Sequence, residues 1–166
     1  MVKMRYVFPA VAIVIIGIAV TVHFFPSEEK KVKKQFQLLS EGVLKSPKEN
    51  AFTMLQKMKN IGALFDEHCE LKAPGQSLSG RYTRGEISTH AGSARSSFSQ
   101  LDLKFYDFHI VFPEKETTKV TLTARLTGRS TAGEHVDETR ELECLLRKVE
   151  KKWLFSAIEV VEVLKK

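Results

Sequence analysis

The sequence predicts an α+β fold, with helices packed on one face of a curved, mainly antiparallel sheet and a single transmembrane helix ahead of them. Three observations predict it. From Leu101 to Leu164 run four segments of alternating apolar and polar residues, joined by turn signals. Helical periodicities with their own start signals come before them. Helices followed by a run of strands mark α+β rather than a doubly wound parallel sheet. Finally, Val7 to Phe25 is nineteen residues without a formal charge, about 28 Å as a helix and close to the roughly 30 Å of a hydrocarbon core. The expected division is a tail and anchor over residues 1–26 and one domain over 27–166.

The anchor has Tyr6, His23, Phe24 and Phe25 at its ends, where amphipathic rings favour the membrane interface. A cleaved signal peptide is the alternative. No small-x-small cleavage site follows and no cysteine stands there for lipid attachment, which favours an uncleaved anchor. Lys3 and Arg5 argue for a cytoplasmic N-terminus, whereas Lys30, Lys31, Lys33 and Lys34 argue the reverse. A short basic leader before an apolar run is how export signals begin, so the expectation is a single-pass inner-membrane protein with its domain outside the cytoplasm.

The net charge of +6 belongs to this flank. Residues 1–48 hold eight Lys or Arg against three Glu, leaving eighteen basic and seventeen acidic residues in the rest. A nearly neutral domain has no field to follow phosphates, so the expected partner is the lipid bilayer and not nucleic acid.

Pro26 breaks the membrane helix, and Ser27, Glu28 and Glu29 supply a cap and first-turn acids for the next, whose apolar stripe is Val32, Phe36, Leu39 and Val43. Ser46-Pro47-Lys48-Glu49 reads as a capping box with proline at the first helical position. Phe52, Leu55, Met58 or Lys59, and Ile61 follow on one face, with Met54 beside them. Phe65 to Ala73 is a strand with weak alternation, and Leu78 to Tyr82 its return. Gly85 leads into a third helix with the stripe Ile87, Ala91, Ala94 and Phe98.

In the first segment of the meander, Leu101, Leu103 and Phe105 occupy odd positions but Phe108, Ile110 and Phe112 even ones. The parity slips at Tyr106 and Asp107, which predicts a β-bulge that bends the sheet into a half-cone. Val120, Leu122, Ala124 and Leu126 share a face of the second strand. Gly128 to Asp137 is a longer connection to Thr139–Val149, where Leu142, Cys144 and Leu146 align. The last segment, Trp153 to Leu164, is apolar on both faces, so it lies centrally or its outer face meets another chain.

This order of elements, together with Gly80-Arg81-Tyr82-Thr83-Arg84-Gly85-Glu86-Ile87 at the entry to the third helix and Trp153 opening the last strand, resembles the nuclear transport factor 2-like superfamily. That cone-shaped, cystatin-like fold also includes ketosteroid isomerases and SnoaL-like polyketide cyclases, and the resemblance covers about residues 28–164. It implies a cone-shaped pocket and a structural role for the glycine, tyrosine and Glu-Ile of the motif. Ketosteroid isomerases place a catalytic aspartate just before a proline at the end of the first strand. Here Lys72 and Ala73 precede Pro74, so that base is missing. An anchor followed by this fold is also similar to inner-membrane assembly subunits of type IV secretion systems.

The candidate ligand-pocket residues are Tyr82, Tyr106, Asp107 and His109, because a bulge re-aims side chains, and Asp66 and His68, where a carboxylate stands near an imidazole. Consecutive strand residues face opposite ways, which makes solvated edge residues the simpler account of the second group. No catalytic residue is assigned. No paired His or Cys spacing suggests a metal, and no cofactor is expected. Cys69 and Cys144 have a disulfide open to them outside the cytoplasm, but their places on apolar strand faces favour two free thiols. The first functional reading is a membrane-anchored, non-enzymatic ligand- or protein-binding or assembly module of the cell envelope, partnered by a second copy or an envelope protein. The alternative is an isomerase- or cyclase-type enzyme acting on an apolar small molecule in a hydrophobic pocket. An enzyme needs an ionisable group deep in the cone with a polar group in reach; a cone filled by Phe and Leu favours the scaffold.

Overall fold

The computed structural model describes residues 27–74 and 79–161. The anchor predicted over Val7–Phe25 lies outside the described residues, as does the end of the last strand beyond Val161. Among the described residues no helix is long and apolar enough to cross a membrane.

Three helices and six strands follow in the order α1 (Glu28–Val43), α2 (Ala51–Gly62), β1 (Phe65–Lys72), β2 (Gly80–Thr83), α3 (Arg84–Ser96), β3 (Phe98–Glu114), β4 (Thr117–Ser130), β5 (His135–Val149) and β6 (Lys152–Val161). The strands form one curved mixed sheet in the order β2-β1-β6-β5-β4-β3. Only β1 and β6 run parallel. β6 is therefore interior, as two apolar faces require, while β3 forms the long free edge.

Each helix start has a local cause. Ser27 caps α1 by accepting from the Lys30 amide at 3.3 Å. Thr83 and Glu86 form a capping box at α3, so the Glu-Ile of the motif caps the helix with its first member and enters the core with its second, Ile87. Gly85 lies in the first turn, and a Cβ there would meet nothing within 4 Å.

α2 departs from expectation. It begins at Ala51, with Asn50 accepting from Thr53 N at 2.8 Å, not at Ser46. The reason is Glu49, which would have to reach back to Ser46. Instead its carboxylate turns inward to Arg95 and Lys57, both at 2.8 Å, and residues 46–49 close only a turn.

The third helix is corrected similarly. Phe98 opens β3 rather than ending the helix, Ala94 is exposed, and the inward position of that turn belongs to Arg95, 1% exposed. Strands β4 and β5 also extend further than their apolar cores suggest. Their ladder runs to Arg129 and His135, which reduces the connection to residues 131–134 around Gly133 at φ 93°.

The predicted bulge is present. Tyr106 pairs with Thr123 and His109 with Thr121, so β3 spends three steps where β4 spends two, and Asp107 takes φ 55°. Across it Phe105 and Phe108 come to the same side.

Candidate functional site

α1 lies on the sheet with Val32, Phe36 and Leu39 buried beneath it. Phe36 is the hub. Phe105, Phe108 and Phe155 meet its ring nearly edge-on, with centroids 5.3, 5.3 and 5.0 Å away, a geometry that the ring quadrupoles favour. Phe65 continues the row against Phe155 at 5.3 Å. The concave interior is thus filled largely by aromatic and aliphatic side chains.

On the free-edge side, α1 and β3 separate and leave an open pocket of about 300 Å³. Its floor is Phe36, Phe105 and Phe108. Its rim is Lys33, Gln37 and Ser40 from α1 and Lys104 and Tyr106 from β3. Ser40 donates its hydroxyl proton to the Leu103 carbonyl, tying the helix to the strand beside the pocket. The Lys33 ammonium stands 5.8 Å from the Phe108 ring centroid, a cation–π distance, and 2.7 Å from Glu29. Lys104 is held more loosely, 3.2 Å from Asp102. Such an arrangement offers an aromatic surface, two ammonium groups each paired with a neighbouring carboxylate, and neutral hydrogen-bonding groups.

The six sequence-predicted residues fall into two groups. Tyr106 lines the pocket, and Asp107 and His109 follow it on β3, both exposed. Asp66 and His68 on β1 and Tyr82 on β2 lie beyond β4, β5 and β6, roughly 19 and 24 Å away along the curved sheet at about 4.8 Å per strand. Asp66 is not a solvated edge residue. It is 7% exposed and accepts from Arg147 at 2.7 Å and from the Glu67 amide at 2.8 Å, and β1 is flanked on both sides. His68 is exposed, whereas Tyr82 is half-buried with its ring edge-on to His90 at 5.2 Å.

The sequence reading missed Lys33, Gln37, Ser40 and Lys104 as a rim. The signal for the floor was present, since the parity slip that predicts the bulge also places Phe105 and Phe108 together.

Two further polar clusters hold the frame. Arg95 donates to the Val43 and Leu44 carbonyls at 3.0 and 2.8 Å and to Glu49, clamping α3 to the end of α1. Burial would raise the Glu49 pKa, but hydrogen bonds from Lys57 and Arg95 outweigh it and hold the carboxyl below its usual range. Glu28 accepts from Lys148 and the Trp153 indole, each at 2.8 Å, and from Lys31 at 2.7 Å. Led by the Lys148 hydrogen bond, these lower its pKa to about 2.

Cys69 and Cys144 are free and buried, and burial pushes both thiols up to about 12. β6 separates their strands. Two strand spacings, about 9.6 Å, exceed the roughly 7 Å that a disulfide spans, so the open alternative of a bridge is removed. Among the described residues no cluster of three His, Cys, Asp or Glu could hold a metal ion.

No known family model matches the sequence, and no curated protein matches it. Solved structures do match in fold. A provisionally named aromatic ring hydroxylase from Novosphingobium aromaticivorans superposes with a TM-score of 0.67 at 12% identity, covering 85% of this chain and 94% of that one. A provisionally named scytalone dehydratase from the same organism gives 0.66 at 17% identity, covering 82% and 85%. A provisionally named dehydratase of the nuclear transport factor 2-like family from Streptomyces avermitilis gives 0.62 at 14% identity, covering 82% and 97%. The chain therefore has the nuclear transport factor 2-like fold.

Proposed function

We propose that this domain binds a small apolar molecule carrying a ring and an anionic group, held between α1 and β3. One observation carries the reading: Phe105 and Phe108, backed by the buried Phe36, line an open pocket of about 300 Å³ that Lys33 and Lys104 rim. A ring would lie on the phenylalanine surface, and a carboxylate, phenolate or sulfonate would meet the ammonium groups, with Gln37 and Tyr106 able to orient it. The names of the structural neighbours, dehydratases and a ring hydroxylase, support a small-molecule role over a purely scaffolding one.

Binding is the step this geometry supports best, because the rim and floor contain no carboxylate or imidazole to abstract a proton. A lyase or isomerase is the second reading, favoured by Asp107, held at φ 55° between two residues of the pocket. The anchor and an extracytoplasmic domain remain part of the proposal, on the strength of the uncharged run Val7–Phe25.

The test is titration of the full chain, in mild detergent, with aromatic carboxylates and sulfonates, followed by tryptophan-independent calorimetry. Saturable binding is expected, weakened about tenfold by Lys33→Ala combined with Lys104→Ala, the loss of roughly one charge-assisted contact. Absence of saturable binding across such a panel sinks the reading. Turnover of a bound compound that Asp107→Asn abolishes would establish the lyase or isomerase instead.

A further inference from the structure

α2 is apolar on two sides. Met58 and Ile61 are buried in the core, whereas Phe52 and Leu55 are 78% and 69% exposed, more than any other large apolar side chain among the described residues. Lys48 precedes Phe52 by four residues and Lys59 follows Leu55 by four, and both are exposed. Phe52, Leu55 and Lys59 therefore succeed one another at helical spacing, and Lys48 stands exposed in the turn just ahead of the helix.

No acid interrupts this face. Residues Ala51–Gly62 include neither Asp nor Glu, and Glu49, just ahead, keeps only 4% of its side chain exposed because Arg95 and Lys57 engage it. Elsewhere on the surface opposite charges are interleaved, as in Lys119–Glu143, Arg125–Asp137 and Arg140–Glu138. Segregation of cations around exposed apolar groups suits a surface that is itself anionic and has an apolar layer beneath, as an interfacial helix does.

The chain brings such a surface close. The uncharged run ends at Phe25, and Pro26 alone separates it from Ser27, the cap of α1, so the proposed anchor and the domain are joined by a single residue. α1 has sixteen residues, about 24 Å, and the seven residues 44–50 join its end to α2.

Resting on the anchored reading above, we propose that the outer face of α2 docks on the anionic surface of the bilayer that holds the anchor. Phe52 and Leu55 enter the headgroup region, and Lys48 and Lys59 pair with lipid phosphates or carboxylates. The domain then lies on the membrane instead of standing off it.

The test uses the full chain in phosphatidylcholine vesicles with and without phosphatidylglycerol. Leu55→Cys carries an environment-sensitive dye, Glu141→Cys on β5 serves as control, and the buried native thiols stay unlabelled. In the anionic vesicles, the emission at position 55 is expected to move to the blue and to be quenched by brominated lipid, and that at 141 is not. Lys48→Glu with Lys59→Glu lowers the docked fraction, with about fivefold lost per lysine contact removed. Water-like emission at 55 while the protein floats with the vesicles overturns the docking alone. A shift that persists in detergent and accompanies cross-links between copies overturns it in favour of self-association. Failure to float at all removes the anchor, and the docking with it.

Discussion

Asp107 shows how a single backbone conformation shapes the pocket wall. Its φ of 55° absorbs the extra residue that brings Phe105 and Phe108 to one side, and a short polar side chain tolerates that region better than a branched one. Asp107→Gly is expected to leave stability unchanged or raise it by about 0.5 kcal/mol, and Asp107→Val to lower it by about 1–3 kcal/mol, read from urea unfolding midpoints. Glu28 gives a pH signature. Its folded pKa of about 2 lies below the ordinary value of 4.5, so its contribution is complete above pH 4.5 and is lost as pH falls towards 2. With 39% of the side chain exposed, solvent screening limits the effect to about 1 kcal/mol. Glu28→Gln should flatten the stability–pH curve between those limits, and an unchanged slope would contradict the assignment. Asp107 was legible because strand parity is strict, and a slip has few causes. Arg95 was not, since an arginine four residues after Ala91 looks solvated until Glu49 and two carbonyls converge on it.

Among the elements, strands were read more surely than helix boundaries. An alternation of two states is set by burial alone, whereas the start of α2 depended on where Glu49 found its partners, which lie on α3 and further along α2. Contacts between elements were beyond reach for the same reason. At Gly42 a Cβ would stand 2.6 Å from Ile61 Cγ1, so the crossing of α1 and α2 relies on the missing side chain. Gly42→Ala should cost about 1–3 kcal/mol by forcing Ile61 from its rotamer, lowering the thermal midpoint, while Gly85→Ala, facing open space, should not. The pocket depends on that crossing only indirectly, through the position of Phe36 on α1. The rim was hidden in the sequence because its lysines and Gln37 are ordinary surface residues of a helix and of an edge strand, and only the packing angle between these makes them neighbours.

At the scale of the molecule, the resemblance drawn from element order and one short motif led to the observed fold, because order and patterning restrict an α+β chain to few arrangements. Function was less accessible, as the same frame supports many activities. What the sequence supplied was the choice between two readings. The aromatic interior satisfies the condition set for a scaffold, whereas the proposal of a small molecule rests on the open pocket beside it. The parallel pairing of β1 with β6 has a consequence of another kind. Phe65 stacks on Phe155, and its ladder cannot close until the final strand is available. During synthesis the helices and the first hairpin leave the ribosome before the strand that pairs with β1 exists, and the sheet waits for Lys152–Val161 to close. Any factor that shields the nascent domain must therefore remain until Lys152–Val161 has been made.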